Sequence, residues 1–220
     1  MRAPRRTRLG AGALVAVLIA AFAAGPGGAA PPGAEPTELG QVGKRAFVVG
    51  DSLAVGTRPY LVGELGGWKV GHSVSISKQA PQGVAELARR GPRGLPPVVI
   101  AQLGTNGDRS AVSSFDHAVR TALRAVGRRG CVVWPNIVRP PGYEGYNAVL
   151  RRLAEKRRNL IVFNWSRMVR RNPGWLADDG VHVNGTGYAA RANGIANMVR
   201  ECRQRVIEAT EGEKKRKTGK

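Results

Sequence analysis

Histidine is scarce in this chain. Its 220 residues include three, His72, His117 and His182, so any chemistry that needs an imidazole has few places to happen. Cysteine is scarcer still, with Cys131 and Cys202 the two present. They lie too far apart for zinc-ligand spacing, and no His-x-x-x-His pair or carboxylate cluster joins them, so no metal and no cofactor is expected. Acid is in short supply as well: 15 Asp and Glu stand against 35 Lys and Arg, a net charge of +20. A membrane span of about 20 apolar residues is also missing. The longest apolar run, Ala11 to Ala24, is shorter than that.

That run has a different meaning. Arg2, Arg5, Arg6 and Arg8 precede it, and small residues and Pro31-Pro32 follow it, which is the layout of a secretory signal peptide over residues 1–30. Cleavage or retention as an anchor would each suit the layout, and the shortness of the run favours cleavage. The protein is expected to be secreted or to sit outside the cytoplasm in the cell envelope, where two cysteines suit one disulfide. Residues 31–43 are rich in Gly, Pro and Ala and read as a linker. One domain follows over 44–208, long enough for a full hydrophobic core and without a second composition regime or a repeat. Residues 209–220 read as a basic tail. With both ends set aside the body still carries 26 basic and 13 acidic groups, so the domain is basic in its own right. The run Lys214-Lys215-Arg216-Lys217 could be a nucleic-acid patch, an envelope-binding patch or a solvated tail. Export removes nucleic acid from the partners and leaves anionic envelope polymers or headgroups.

The domain alternates strands and helices. Ala46–Val49 is a short buried strand that ends at Gly50 and hands over to Asp51-Ser52, and a helix runs from there to about Leu65, where Gly66-Gly67 stops it. Trp68–Ile76 alternates as a strand with Val70, His72 and Val74 on one face. Gln82–Arg90 has helical spacing, and Pro97–Leu103 is an apolar strand leading into the polar turn Gly104-Thr105-Asn106. Ser114–Gly127 is a helix with His117 at its surface. Cys131–Trp134 is a strand, followed by a loop, Arg139–Tyr143, that could wall a crevice. Tyr146–Arg157 is a helix, Leu160–Phe163 a fifth strand, Trp165–Trp175 a loop, and Thr186–Cys202 the last helix. This order implies a parallel sheet covered on both faces. Parallel strands point the same way, so Ser52, Asn106 and the loop Asp178-Asp179-Gly180-Val181-His182 share one rim, where α/β proteins bind ligands. At the opposite end Cys131 opens its strand, and the last helix descends to bring Cys202 beside it.

Asp179 and His182 are three positions apart on one loop, close enough for the carboxylate to hold Nδ1 of the ring and leave Nε2 facing Ser52. Ser52 is then the candidate nucleophile, His182 its base and Asp179 the orienting acid. In these residues the chain resembles the SGNH hydrolases, also called the GDSL family. Gly50-Asp51-Ser52-Leu53 matches the first block, Gly104-Thr105-Asn106 the third, and Asp179-Gly180-Val181-His182 the fifth. The resemblance covers roughly Arg45 to Arg203. It implies a flavodoxin-like three-layer α/β/α sandwich with a central parallel sheet of about five strands, and ester cleavage by the serine, histidine and aspartate. The Gly-x-Ser-x-Gly elbow of ordinary α/β-hydrolases is absent, since Ala54 follows Leu53.

The resemblance also implies an oxyanion hole formed by the N–H groups of Ser52 and Ser77 and the side-chain amide of Asn106. Ser77 stands where the family's second block has glycine. Only its backbone N–H is expected to serve, and Ser77→Gly is expected to loosen the turn by up to about 1 kcal/mol. The expected substrate is a small acyl ester on a lipid or carbohydrate. An O-acyltransferase with the same triad and a binding module for anionic envelope polymers are the alternatives, and an intact Ser52, Asp179 and His182 disfavours the second.

Overall fold

The computed structural model describes residues 42–219. The expected signal peptide and all but the last two residues of the expected linker lie outside these. Four apolar runs and one alternating segment form the strands β1 (Arg45–Gly50), β2 (Lys69–Val74, the alternating one), β3 (Val98–Gln102), β4 (Cys131–Pro135) and β5 (Leu160–Phe163). Every neighbouring pair is parallel, in the order β2-β1-β3-β4-β5. Between and after them lie α1 (Ser52–Glu64), α2 (Ala80–Gly94), α3 (Val112–Val126), α4 (Glu144–Lys156), α5 (Trp165–Arg171) and α6 (Gly185–Thr218). No helix among the described residues is long and apolar enough to cross a membrane.

Strand periodicity sorts the core into two layers. Successive side chains of a strand point to opposite faces, so Phe47, Val49, Val99, Ala101, Val132 and Trp134 pack on one side with α2, α3 and α4. Ala46, Val48, Val98, Ile100, Cys131 and Val133 pack on the other with α1, α5 and α6. Central strands buried on both faces read as unbroken apolar runs because neither face meets water. Full burial of one such Val or Ile side chain contributes about 1.5–3 kcal/mol.

The strand order fixes where a ligand can bind. The chain leaves β1 for α1 and β2 on one side and reaches β3 on the other, so the switch point lies between the carboxyl ends of β1 and β3. Ser52 follows β1 and Gly104-Thr105-Asn106 follows β3. The flavodoxin-like α/β/α expectation therefore holds, and it puts both turns beside the crevice.

Three segments differ from the sequence reading. β2 stops at Val74: Ser75 N–H donates a last rung to Gly50 O at 3.1 Å and the chain then turns away. Ile76, which continues the alternation, is 74 % exposed. The segment from Trp165 to Trp175, read as a loop, holds α5 and a short 3-10 turn, Pro173–Trp175. The last helix does not end near Cys202 but runs to Thr218, so 209–218 is helical rather than a separate tail. Val206 is its last buried residue, and beyond it Arg129 and Glu213 form an ion pair at 2.9 Å.

Cys131 and Cys202 form a disulfide between the start of β4 and α6, with Cα atoms 5.7 Å apart and both side chains buried. Closing a loop of this size in the unfolded chain is worth about 4 kcal/mol on the chain-entropy account. The double variant Cys131→Ala/Cys202→Ala should lose about that much stability, read as a fall in the urea midpoint of the oxidised protein. An unchanged midpoint would show that the crosslink does not constrain the fold.

Candidate active site

Ser52 is the first residue of α1, and the local sequence makes that position. Asp51 caps the helix, accepting the Leu53 N–H on Oδ1 at 3.0 Å, which satisfies one of the free amides of the first turn. A Cβ on Gly50 would come within 2.3 Å of the Ala54 Cβ and 3.0 Å of the Gln102 carbonyl oxygen. Only glycine lets the helix begin directly over the end of β1. The Asp51 N–H donates to Gln102 O at 3.0 Å and ties this elbow to β3. Ser52 is left half-buried at the positive end of a helix.

His182 reaches Ser52 from the loop before α6. Its Nε2 lies 2.9 Å from Ser52 Oγ and its Nδ1 lies 2.6 Å from Asp179 Oδ2. The other oxygen of Asp179 accepts the backbone N–H groups of Val181 and His182 at 2.9 and 3.0 Å. One carboxylate thus shapes the loop with Oδ1 and holds the ring with Oδ2. The His182 hydrogen bond, with help from these two N–H groups, holds the Asp179 pKa down to about 2. The loop is closed by Ala177 N–H on His182 O at 2.9 Å and by the bridge between Leu176 and Val183. Asn184 then caps α6 by accepting from the Gly187 N–H at 3.0 Å. Asp178, the alternative carboxylate, is exposed and takes no part in these bonds.

The two residues expected to complete the oxyanion hole lie on neighbouring turns. Asn106 Nδ2 points across to Lys78 O at 3.5 Å, joining the turn after β3 to the turn after β2. Ser77 lies in that second turn with φ +61°. This is the left-handed region, which costs a side-chain-bearing residue about 1 kcal/mol or more. The expectation that glycine would loosen the turn therefore reverses, because the backbone here already adopts glycine's conformation. Ser77→Gly should raise stability by up to about 1 kcal/mol and leave ester turnover within a few-fold, whereas Asn106→Ala removes a donor and should lower kcat by about 100- to 1,000-fold. Parallel kinetics and urea melts of the two variants check this. Equal losses of turnover would mean that the Ser77 hydroxyl takes part.

Two supports were not foreseen from the sequence. Lys78 Nζ donates to Ser73 O and Ser73 Oγ at 3.0 Å and to Glu86 Oε1 at 2.8 Å, pinning the Ser77 turn to α2. Glu86 also accepts from Ser73 Oγ. Near Asp51, the buried Arg191 of α6 donates from Nε to Gln102 Oε1 at 3.2 Å and stacks over Trp165 at 5.0 Å. Burial pulls the Arg191 pKa down to about 10 and pushes the Asp51 carboxyl up, and the charge of each offsets the effect on the other. An arginine on the apolar stripe of α6, between Gly187 and Ala192, was the available signal. His72, by contrast, is half-buried in the edge strand, where burial and the Arg58 charge lower its pKa. His117 is exposed on α3. Neither joins the site.

The crevice is open. Side chains of His182 and Asp179 are 42 % and 50 % exposed, and the cavities of about 730, 700 and 500 Å³ are lined by neither of them nor by Ser52. The loop Arg139–Tyr143 stands beside it, with Arg139 Nη1 donating to Thr105 O at 2.5 Å and the Pro140 ring packed close over Gly180.

Solved structures share this architecture. The C-terminal catalytic domain of Streptococcus pneumoniae peptidoglycan O-acetyltransferase A matches with a TM-score of 0.60 at 17% identity, over 76% of this chain and 97% of that one. A lipase/acylhydrolase from Enterococcus faecalis matches with 0.60 at 17%, over 74% and 96%. A GDSL-like lipase from Bacteroides thetaiotaomicron matches with 0.55 at 16%, over 72% and 88%. The fold is that of the GDSL hydrolases. No protein-family model matches the chain, and no curated protein matches it. Within the GDSL fold the Ser52 elbow follows the first strand of the sheet and the Asp179–His182 loop precedes the last helix.

Proposed function

We propose that the protein is an exported serine ester hydrolase acting on acyl esters of a lipid or carbohydrate. The observation that carries this reading is the unbroken chain Ser52 Oγ, His182 Nε2, His182 Nδ1 and Asp179 Oδ2, with contacts of 2.9 and 2.6 Å at the switch point of the sheet. A serine hydroxyl is a weak nucleophile until a base takes its proton, and a fixed imidazole is that base. His182 accepts the Ser52 proton as Oγ attacks the ester carbonyl. Asp179 keeps the proton on Nδ1 and stabilises the imidazolium. The N–H groups of Ser52 and Ser77 and the Asn106 amide meet the oxyanion, each worth about 3 to 4 kcal/mol in the transition state. The imidazolium then protonates the leaving alcohol, and water attacks the acyl-enzyme with His182 again as base.

The open rim suits a small acyl group on a bulky alcohol better than a long chain needing a tunnel. The disulfide and the signal-like leader support a location outside the cytoplasm. One neighbour in fold is a peptidoglycan O-acetyltransferase, which favours transfer to a sugar hydroxyl as the second reading. Hydrolysis of p-nitrophenyl esters of increasing chain length, with and without a sugar acceptor, tests both. Turnover that falls with chain length supports the first reading, and acylated acceptor outpacing free acid supports the second. No release from any ester, or equal release by Ser52→Ala protein, rejects both.

A further inference from the structure

At the pole opposite Ser52, where the strands begin, cations crowd together and outnumber the acids. α3 and α4 both end there, and the chain turns through Gly127-Arg128-Arg129 and Lys156-Arg157-Arg158 on its way into β4 and β5. A cavity of about 730 Å³ opens between these turns, lined by Arg120, Arg124, Arg128, Lys156, Arg157 and Arg158 and by no carboxylate. It shares Arg128 and Arg158 with a second hollow of about 410 Å³, to which α6 adds Arg205, Arg216 and one acid, Glu208. The two form one groove.

Most of these charges are unbalanced. Asp116 holds Arg120 at 2.6 Å and Glu201 holds Arg205 at 2.6 Å. Among the described residues Arg124, Arg128, Lys156, Arg157, Arg158 and Arg216 have no carboxylate within 4.0 Å. The carboxyl ends of α3 and α4 contribute only about half a negative charge each, enough for Arg124 or Lys156 but not for six cations. Like charges held in one concavity repel, and they raise the local concentration of anions.

We propose that this groove binds a linear polymer bearing closely spaced phosphates, and so tethers the protein with its catalytic rim facing away from the anchor. Arginine forks match phosphate oxygens two at a time. Single-stranded nucleic acid is the poorer fit, because base stacking needs aromatic platforms and no aromatic residue lines either hollow. A lipid surface is also the poorer fit. The site is concave, and the exposed large apolar residues Val55, Tyr60, Val62 and Ile76 that could enter a bilayer lie on α1 and the turn after β2. The sequence offered the basic run 214–217 as one candidate for an anionic contact. The groove takes in Arg216 of that run and adds the turns before β4 and β5.

The test uses the full chain, linear inorganic polyphosphate as probe, and binding read by calorimetry over a series of salt concentrations. Two triple variants remove the same charge: Arg128→Gln/Arg157→Gln/Arg158→Gln in the groove, and Lys214→Gln/Lys215→Gln/Lys217→Gln on the helical extension. The groove triple should weaken binding by about 100-fold and flatten the slope of log K against log salt by about 2. The extension triple should stay within about threefold of wild type. Should the groove triple fail to fold, amide exchange on the wild type decides: polyphosphate should slow exchange at 127–130 and 156–159 more than at 214–218. Equal losses in the two triples, protection confined to 214–218, or no binding would overturn the proposal. So would tighter binding to vesicles of equimolar phosphatidylcholine and phosphatidylglycerol, or to a thymidine homopolymer of equal charge.

Discussion

Ser52→Ala should lower kcat for a p-nitrophenyl ester by about 10⁶-fold, and His182→Ala by a similar factor. The two losses are alike because neither group acts alone. Without the ring the hydroxyl keeps its proton, and without the hydroxyl the ring has nothing to activate. The fold should survive both changes. Ser52 Oγ has His182 Nε2 as its hydrogen-bond partner, and Asp179 grips the loop through the backbone N–H of His182, which the substitution keeps. Stability read from thermal melts should therefore change by less than about 0.5 kcal/mol. A Ser52→Ala protein that turns over ester near the wild-type rate would remove the nucleophile assignment, and a His182→Ala protein that unfolds would show that the ring is a structural part of the loop.

Asp179→Asn should lower kcat by about 10⁴-fold while Asp178→Asn stays near wild type. An asparagine can still accept the Val181 and His182 N–H groups through its oxygen, so the loop is kept. Its NH2 then faces Nδ1 and forces the ring proton onto Nε2, the nitrogen that must receive the Ser52 proton. The pH dependence follows from the depressed pKa. Asp179 is ionised in the folded protein down to about pH 2, below its ordinary value of 3.8. Its contribution to stability is complete above that ordinary value and is lost as pH falls through about 2. Between pH 5 and 9 the ratio of wild-type to Asp179→Asn activity should thus show no step from this carboxylate. If Asp178→Asn were the damaging change, the acid of the triad would be its neighbour.

The parts of this site that could be read from sequence are those whose side chains announce a backbone need. Gly50 and Gly104 mark the ends of strands, Asp179 and His182 are spaced for one loop, and unbroken runs such as Val98–Ala101 mark strands buried on both faces. Because parallel strands share one direction, those local readings were enough to bring distant turns together and to pair Cys131 with Cys202. What stayed hidden lacked such a signal. Ser77 adopts a left-handed backbone that a glycine would have advertised. Arg191 is charged and yet buried, which depends on Asp51, Gln102 and Trp165 arriving from three other segments. α5 is only seven residues long and carries Arg167, Arg170 and Arg171, too short for an apolar stripe to show. The extension of α6 beyond Val206 buries nothing, so no hydrophobic period distinguished a solvated helix from a tail.

The central claim is that Ser52 attacks carbonyl-like centres with His182 as its base. Intact-mass spectrometry of the full chain after exposure to phenylmethylsulfonyl fluoride, with peptide mapping, tests it most directly. The account predicts a single sulfonyl adduct on Ser52, absent from Ser52→Ala protein and formed far more slowly in His182→Ala protein. An adduct on another residue, or labelling at the wild-type rate without His182, would contradict it.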